Sequence, residues 1–540
     1  MRMRGVRTAV ARRDAVGRLL GSRWWRGAAA VAAGALPALA FPAPSWWWFA
    51  YVALVPWLLL IRTARTGGRA ALDGWLGGLG FMLALHHWLL PSLHVFLLVL
   101  AALLGLLWAP WGLLVRRMLA REPSRGRAAA AVVVVPSGWL MVELVRSWEG
   151  LGGPWGLLGA SQWQVDAALR VASLGGVWLV SLLVVAVNTA VAVLVSVPSA
   201  RPAAVAGVAV CALTAGSAWL WVPSPRPAGE VRVAVVQPGV INGVGGAERR
   251  VARGEELTRE LAGRDVDLVV WGESSVGADL AARPDLARRL AAVSREVGAE
   301  VLVNVDARRS DRPGIYKSSV LIGPEGPTGD RYDKMRLVPF GEYVPLRSLL
   351  GWATSVGKAA AEDRRRGTQP VVMAVGDEGL RLGPLVCFES AFPDMSRRLA
   401  RDGAQLLVAQ SATSTFQDSW APGQHASLAA LRAAETGRPV VHATLTGVSA
   451  VYGADGAPVG SPLGTERSAS AVYDIPLSEV TTPYARFGDW AVYAALAVLA
   501  VAAAGAVRSR RALSRPGRPG RGRPVPPART ARESSARPGR

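Results

Sequence analysis

Two adjacent stretches divide the chain: Pro223-Ser224-Pro225-Arg226-Pro227, and then Val231-Arg232-Val233-Ala234-Val235-Val236-Gln237. The first is a stiff, extended linker that cannot continue a helix. The second has the apolar, β-branched run of a buried strand. Before the linker the chain is almost wholly apolar. After it, β-rich runs recur at 266–271, 299–305, 318–322, 371–375, 383–388 and 405–411, with helical patterns at 247–263, 280–297, 390–402 and 423–437. That alternation, over a length sufficient for a full core, predicts an α/β domain across 223–489.

Apolar runs of about 17 to 25 residues fit the hydrocarbon thickness of a bilayer. Seven precede the linker, at 27–41, 45–61, 71–90, 93–115, 128–146, 169–196 and 202–222, and an eighth lies at 490–507. The Arg-rich start resembles a signal peptide, but the further spans make it an anchor. Composition agrees: of 540 residues 51% are hydrophobic and only 19% charged, which excludes a disordered or an ordinary soluble chain. Lys and Arg in short loops mark the cytoplasmic side. They crowd residues 1–26, 62–70, 116–127 and the tail 508–540, whereas loops 42–44 and 91–92 hold none. Eight spans then place both termini in the cytoplasm and 223–489 outside. These Arg-rich pieces account for more than the whole net charge of +22, so the rest of the chain is slightly negative. The tail lacks the aromatic interleaving of a nucleic-acid binder, so no nucleic-acid partner is expected. Seventeen of 21 Trp precede residue 223, many at span ends such as Trp46-Trp47-Trp48 and Trp108 with Trp111, which reads as interfacial anchoring. Glu143 and Arg146, three apart on one helix, can pair. The Gly-rich apolar loop 150–162 either re-enters the bilayer or lines a cleft beneath the outer domain.

Open α/β sheets do chemistry just past strand ends. The run 266–271 leads into Gly272-Glu273-Ser274-Ser275. After 318–322 comes Tyr332-Asp333-Lys334-Met335-Arg336-Leu337-Val338-Pro339-Phe340-Gly341-Glu342-Tyr343-Val344-Pro345, and 383–386 leads into Cys387-Phe388-Glu389-Ser390. Singly these residues have ordinary readings: Glu273 beside a helix cap, Lys334 in a solvated loop, Cys387 as a small buried hydrophobe. Together they can serve as base, cation and nucleophile, with the backbone N–H groups after the cysteine receiving an oxyanion. Of five histidines only His425 and His442 belong to this domain, and His425 reads as packing on the helix 423–437. Cys and His are too few and too scattered for a metal site.

The order Glu, Lys, Cys in WGES, YDKMRLVPFGEYVP and CFE resembles the nitrilase superfamily. With the membrane part, the chain resembles its membrane-anchored branch, the apolipoprotein N-acyltransferases. Further motifs carry the likeness: GGPWGLLGASQ, the segment Gly423-Gln424-His425 with Arg432, Glu435, Arg438 and Pro439, and Thr482-Pro483-Tyr484-Ala485-Arg486-Phe487-Gly488-Asp489-Trp490. The resemblance implies a polytopic helical bundle of about eight spans with an extracytoplasmic nitrilase-like α-β-β-α sandwich. It implies five regions: a basic cytoplasmic segment 1–26, a seven-span domain 27–222, the catalytic domain 223–489, a last span 490–507 and an Arg/Pro/Gly-rich cytoplasmic tail 508–540. Glu273 would be the general base, Lys334 the cation that stabilises the intermediate and Cys387 the nucleophile. Glu342 would position the lysine or assist proton transfer, with Phe388 and Glu389 completing the pocket wall. Family members often carry Tyr where this chain has Phe388, and Ala412-Thr413-Ser414-Thr415-Phe416 replaces an Asn-rich loop. The implied reaction passes an acyl chain from a phospholipid, through a Cys thioester, to the α-amine of S-diacylglyceryl-cysteine in an apolipoprotein. No cofactor or metal is implied, and the expected form is a monomer in a bacterial plasma membrane. Two other classes stand beside this one: a tethered amidase or hydrolase, and a non-enzymatic transport or sensor protein.

Overall fold

The computed structural model describes residues 22–120, 122–351, 362–376 and 379–513. The basic N-terminal segment as far as residue 21, and the Arg-rich tail from residue 514, lie outside them.

The N-terminal region is helical: α1 (Arg23–Ala35), α2 (Val55–Arg62), α3 (Gly67–His86), α4 (Phe96–Gly105), α5 (Trp108–Leu119), α6 (Arg125–Arg146), α7 (Asp166–Ser196) and α8 (Arg201–Trp221). A last helix, α9 (Trp490–Leu513), follows the α/β domain. Six stretches among the described residues are long and apolar enough to cross a membrane: 67–93, 96–119, 125–146, 166–196, 198–221 and 490–508. The first two expected spans are shorter here. Segment 27–41 ends its α-helix at Ala35 and tightens into a 3-10 turn at Pro37, while Trp47–Arg62 combines a 3-10 turn with the eight residues of α2. Proline explains both ends, because Pro37, Pro42, Pro44 and Pro56 lack the N–H that a continuous helix would use. The backbone opened between Ala50 and Leu54 is satisfied by Asn188 of α7, which donates to Ala50 O (2.7 Å) and accepts from Leu54 N (2.8 Å). In an apolar bundle such a side chain substitutes for lost helical bonds.

Two expectations for this region change. Trp108 and Trp111 are not interfacial anchors: they are buried with Trp57 and Trp139, at ring centroid distances of 5.0 to 6.4 Å, as the centre of the bundle. Trp46, Trp47 and Trp48 do remain exposed. Glu143 and Arg146 serve the loop 150–162 instead of each other. Glu143 accepts from Trp139 Nε1 (2.9 Å) and Leu158 N (2.7 Å), and Arg146 donates to Trp155 O (2.5 Å) and Gly156 O (3.2 Å). The irregular backbone of that loop needs partners more than the two charges need contact.

The α/β domain holds two six-stranded sheets. The first has the order β12-β1-β2-β3-β4-β5, from β1 (Glu230–Gln237), β2 (Leu268–Trp271), β3 (Glu300–Arg308), β4 (Ile315–Gly323), β5 (Gly326–Asp333) and β12 (Ala469–Pro476). The second has the order β11-β10-β9-β8-β7-β6, from β6 (Met373–Val375), β7 (Leu380–Val386), β8 (Leu406–Ser411), β9 (Val440–Thr444), β10 (Ser449–Tyr452) and β11 (Pro458–Leu463). Parallel strands occupy the middle of each, β1-β2-β3 and β7-β8-β9, with antiparallel strands at the rims. Apolar side chains such as Val233, Val270, Leu382 and Val408 interdigitate between the sheets. Helices Gly246–Arg259 and Pro284–Val297 cover the outer face of the first sheet. Helices Pro393–Arg401 and Ala421–Thr436 cover the second, and their core runs on without a break into the membrane helices. The sandwich thus rests on the helical part through the layer behind β7, β8 and β9.

Candidate active site

Each candidate side chain is delivered by a strand end. β2 is buried at every position and runs into Gly272, where a Cβ would lie 1.8 Å from the amide nitrogen of Leu445 in the facing sheet. Only glycine admits that approach. It lets Glu273 N donate to Ser411 O (3.1 Å), at the end of β8, so the carboxylate is fixed between the two sheets. On the other sheet, β7 ends at Val386 and the chain reverses at Cys387, whose φ is +52°. A left-handed non-glycine backbone is strained, and here it turns the thiol out of the sheet at a sharp strand-to-helix turn.

Lys334 follows β5 directly, not in mid-loop as the sequence suggested. Its N–H donates to Lys317 O on β4 (2.8 Å), and its side chain is fully buried. Glu342 reaches it from the next turn, with Oε1 2.8 Å from Lys334 Nζ and Oε2 accepting from Val338 N (2.8 Å). Glu273 Oε1 lies 3.5 Å from the same ammonium. Glu273, Lys334, Glu342 and the half-buried Cys387 therefore converge.

Burial works against the charge of Glu273, but the ammoniums of Lys317 and Lys334 outweigh it, and with a hydrogen bond from the Cys387 side chain they hold its carboxyl at about 2. Glu342 is likewise held below its usual range: Lys334, then Lys317, overcome burial. Lys334 is kept protonated by Glu342 and Glu273 despite desolvation. Burial, reinforced by the Glu273 carboxylate, pushes the Cys387 thiol up to about 12 although both lysines oppose it. At rest, therefore, the site holds two ion pairs and a neutral thiol.

The remaining expected residues sit as follows. Phe388 packs edge-on against Phe392 with centroids 4.8 Å apart, and both rings face Gly153 in the loop 150–162 of the membrane part. Glu389 stands behind the turn. Its Oε1 accepts from Tyr332 Oη (2.7 Å), Met335 N (2.8 Å) and Arg336 N (3.0 Å), and its Oε2 from Val386 N (2.8 Å). It is fully buried and ties the cysteine turn to the lysine loop, so it braces the site instead of walling it.

Sequence reasoning missed three neighbours. Lys317 lies one residue before the run read as a strand, and its Nζ is 2.6 Å from Glu273 Oε1. Its only signal is parity, since it shares a face of β4 with Ser319 and Leu321. His425, read as packing, contacts Cys387 O and Ser390 Oγ through Nε2, both at 3.1 Å, and so backs the nucleophile turn. Gln410 bridges the sheets by donating to Trp271 O (2.8 Å). Neither pairing is written in local sequence.

Residues 33–190 match a family model described as the apolipoprotein N-acyltransferase N-terminal domain, and residues 232–483 match the carbon-nitrogen hydrolase model. An apolipoprotein N-acyltransferase of Geobacter metallireducens is 30% identical over 495 residues, covering 86% of this chain and 92% of that protein. One from Azotobacter vinelandii is 32% identical over 504 residues, covering 85% and 91%. Among solved structures, an amidase of the nitrilase superfamily from Nesterenkonia AN1 aligns at a TM-score of 0.34 and 20% identity, covering 47% of this chain and 94% of that one. A helical, membrane-spanning N-terminal region is thus joined to a carbon-nitrogen hydrolase domain in one chain, and this chain belongs to the apolipoprotein N-acyltransferase family.

Proposed function

We propose that the protein moves a fatty acyl chain from a phospholipid to the α-amine of S-diacylglyceryl-cysteine at an apolipoprotein N-terminus, in two steps through a thioester on Cys387. The observation that carries this reading is the convergence of Glu273, Lys334 and Cys387 on one side of the sandwich, with Phe388 turned to the outer loop of the membrane helices. Both substrates are lipid-held, and confinement to the same membrane supplies the proximity a soluble enzyme would lack.

In the first step the Cys387 sulfur bonds to the ester carbonyl carbon while its proton passes to Glu273. The ester C–O bond then breaks, and Glu273 returns the proton to the departing lysophospholipid oxygen. With the carboxyl at about 2 and the thiol at about 12, a free thiolate is disfavoured at rest, so the proton moves as the S–C bond forms. Lys334 faces the developing oxyanion together with backbone N–H groups after the cysteine. In the second step the acceptor nitrogen attacks the thioester carbonyl, the C–S bond breaks, and the amine's proton returns to sulfur through Glu273. Glu342 keeps Lys334 charged and oriented.

The same reading assigns residues 1–26 and 508–540 to the cytoplasm, 27–222 and 490–507 to eight spans including the two short ones, and 223–489 to a monomer's extracytoplasmic catalytic domain. Its test uses an acyl-labelled phospholipid. The full-length enzyme is expected to acquire the label, and Cys387→Ala to acquire none. Mass spectrometry of a lipoprotein N-terminus should then find the extra acyl chain only when active protein is present. Label retained on Cys387→Ala would overturn the nucleophile assignment, and turnover of a small amide without lipid would favour a hydrolase.

A further inference from the structure

The cation nearest Glu273 is Lys317. Its Nζ lies 2.6 Å from Glu273 Oε1 and 3.2 Å from Glu342 Oε1, whereas Lys334 Nζ lies 3.5 Å and 2.8 Å from the same two oxygens. Two ammoniums and two carboxylate oxygens therefore alternate around a closed ring, each lysine holding one glutamate tightly and the other loosely. Lys317 comes from β4, where it pairs in register with Asp306 of β3, and its side chain is 13% exposed.

Resting on the acyl-transfer reading above, we infer that Lys317 is a second positioning lysine: it fixes the Glu273 carboxylate and supplies the positive charge that offsets thiolate character at Cys387, leaving Lys334 free to face the reacting carbonyl. The reasoning is electrostatic. Two glutamates against two lysines sum to zero, so negative charge developing on sulfur meets a balanced ring. With Lys317 neutral, the same charge would develop beside two carboxylates and one ammonium. A nearby opposite charge favours the ionised form of a thiol: burial and the Glu273 carboxylate raise Cys387, and Lys334 and then Lys317 pull it down. The other charged groups around the ring are Asp306, 3.8 Å from Lys317 Nζ, and Arg364, 3.4 Å from Asp306. Glu389, raised by burial against the pull of Lys334, is also near, and His425, lowered by burial to about 4 and hence neutral, backs Cys387.

The test compares Lys317→Met and Lys317→Gln, both neutral, with Lys317→Arg, which restores the charge, in full-length protein reconstituted in phospholipid. A Cys211→Ser background leaves Cys387 as the only thiol, and its rate of alkylation by iodoacetamide is followed from pH 6 to 10. The neutral variants are expected to displace the alkylation profile to higher pH by about one unit or more, a roughly tenfold slower reaction at a given pH on the rising limb, and to form acyl-enzyme correspondingly slowly. Lys317→Arg is expected to return the profile towards that of the parent. Superposition of a neutral variant on the parent would overturn the inference, as would an arginine variant displaced as far as the neutral ones, because volume and not charge would then be at issue. Acyl label persisting on Cys387→Ala would instead sink the underlying reading, which the alkylation profile does not depend on.

Discussion

At the scale of single residues the site is built on strained or crowded positions that only surrounding packing sustains. Cys387 occupies a left-handed backbone because β7 and the Glu389 brace hold it from both sides. Gly153 faces the neighbouring Phe388 and Phe392 rings across the boundary with the membrane part. Its φ is +68°, and a Cβ there would lie 2.5 Å from the Phe388 ring and 2.8 Å from that of Phe392. Gly153→Ala is therefore expected to strain the loop by about 1 kcal/mol or more and to push Phe388 against the nucleophile turn. A displacement of this kind costs about tenfold to a hundredfold in rate. The measurement is the rate of acyl-enzyme labelling beside a melting curve, and an unchanged labelling rate would mean that Phe388 does not help to set the geometry of Cys387. Glu273 and Cys387 were legible as candidates because they directly follow recognisable strands; Lys334 stood out only within its motif, since β5 (Gly326–Asp333) has no apolar run to mark it. Lys317 and His425 were not legible, because their roles depend on which strand or turn lies opposite, and that pairing has no local signature.

At the scale of elements, a kinked helix connects the membrane part to the nucleophile. α7 breaks at Gly175 and Gly176, which frees Val177 N to donate to Glu435 Oε1 (2.7 Å) in helix Ala421–Thr436. Glu435 also pairs with Arg432 (2.8 Å), and Arg432 donates to Ala391 O (2.7 Å) at the end of the cysteine turn. Burial raises the Glu435 carboxyl to about 7, outweighing the opposing pull of Arg432. Between the 4.5 of a free glutamate and about 7, the folded protein then holds a proton that the unfolded chain has released. Stability from this group is present at the acid end and falls as pH rises through that window, by up to about 1 kcal/mol per pH unit. Melting of the parent from pH 5 to 7 should show that decline, and Glu435→Gln should flatten it; the same slope in both proteins would refute the assignment. The helix periods and the six long spans were readable in sequence. The split at Gly105–Trp108 and the two short helices near the N-terminus were not, because apolar composition continues across each break.

At the scale of the whole molecule, the remaining question is sidedness, which the arrangement of charge addresses. Asp73 is fully buried between Arg26 and Arg69, both at 2.7 Å, at the end of the bundle that also carries the Arg-rich loops. Ionised groups so placed are expected on the cytoplasmic side, with the sandwich opposite. The test uses Val244→Cys in the outer domain, at a position 97% exposed, and Arg65→Cys in loop 62–70. In intact cells a membrane-impermeant maleimide should label the first and spare the second until lysis. The reverse pattern would invert the topology.

Sequence alone determined that an apolar helical region precedes an α/β domain, and that a carboxylate and a thiol follow two of its strands, because apolar run length and strand periodicity are local properties. Tertiary structure decided the rest. Trp108 and Trp111 became core instead of anchors, Glu143 and Arg146 turned to the loop, Glu389 became a brace, and a second lysine joined the ring. The reason is common to all four: burial and pairing are set by what the facing element presents, and periodicity names a face without naming its partner.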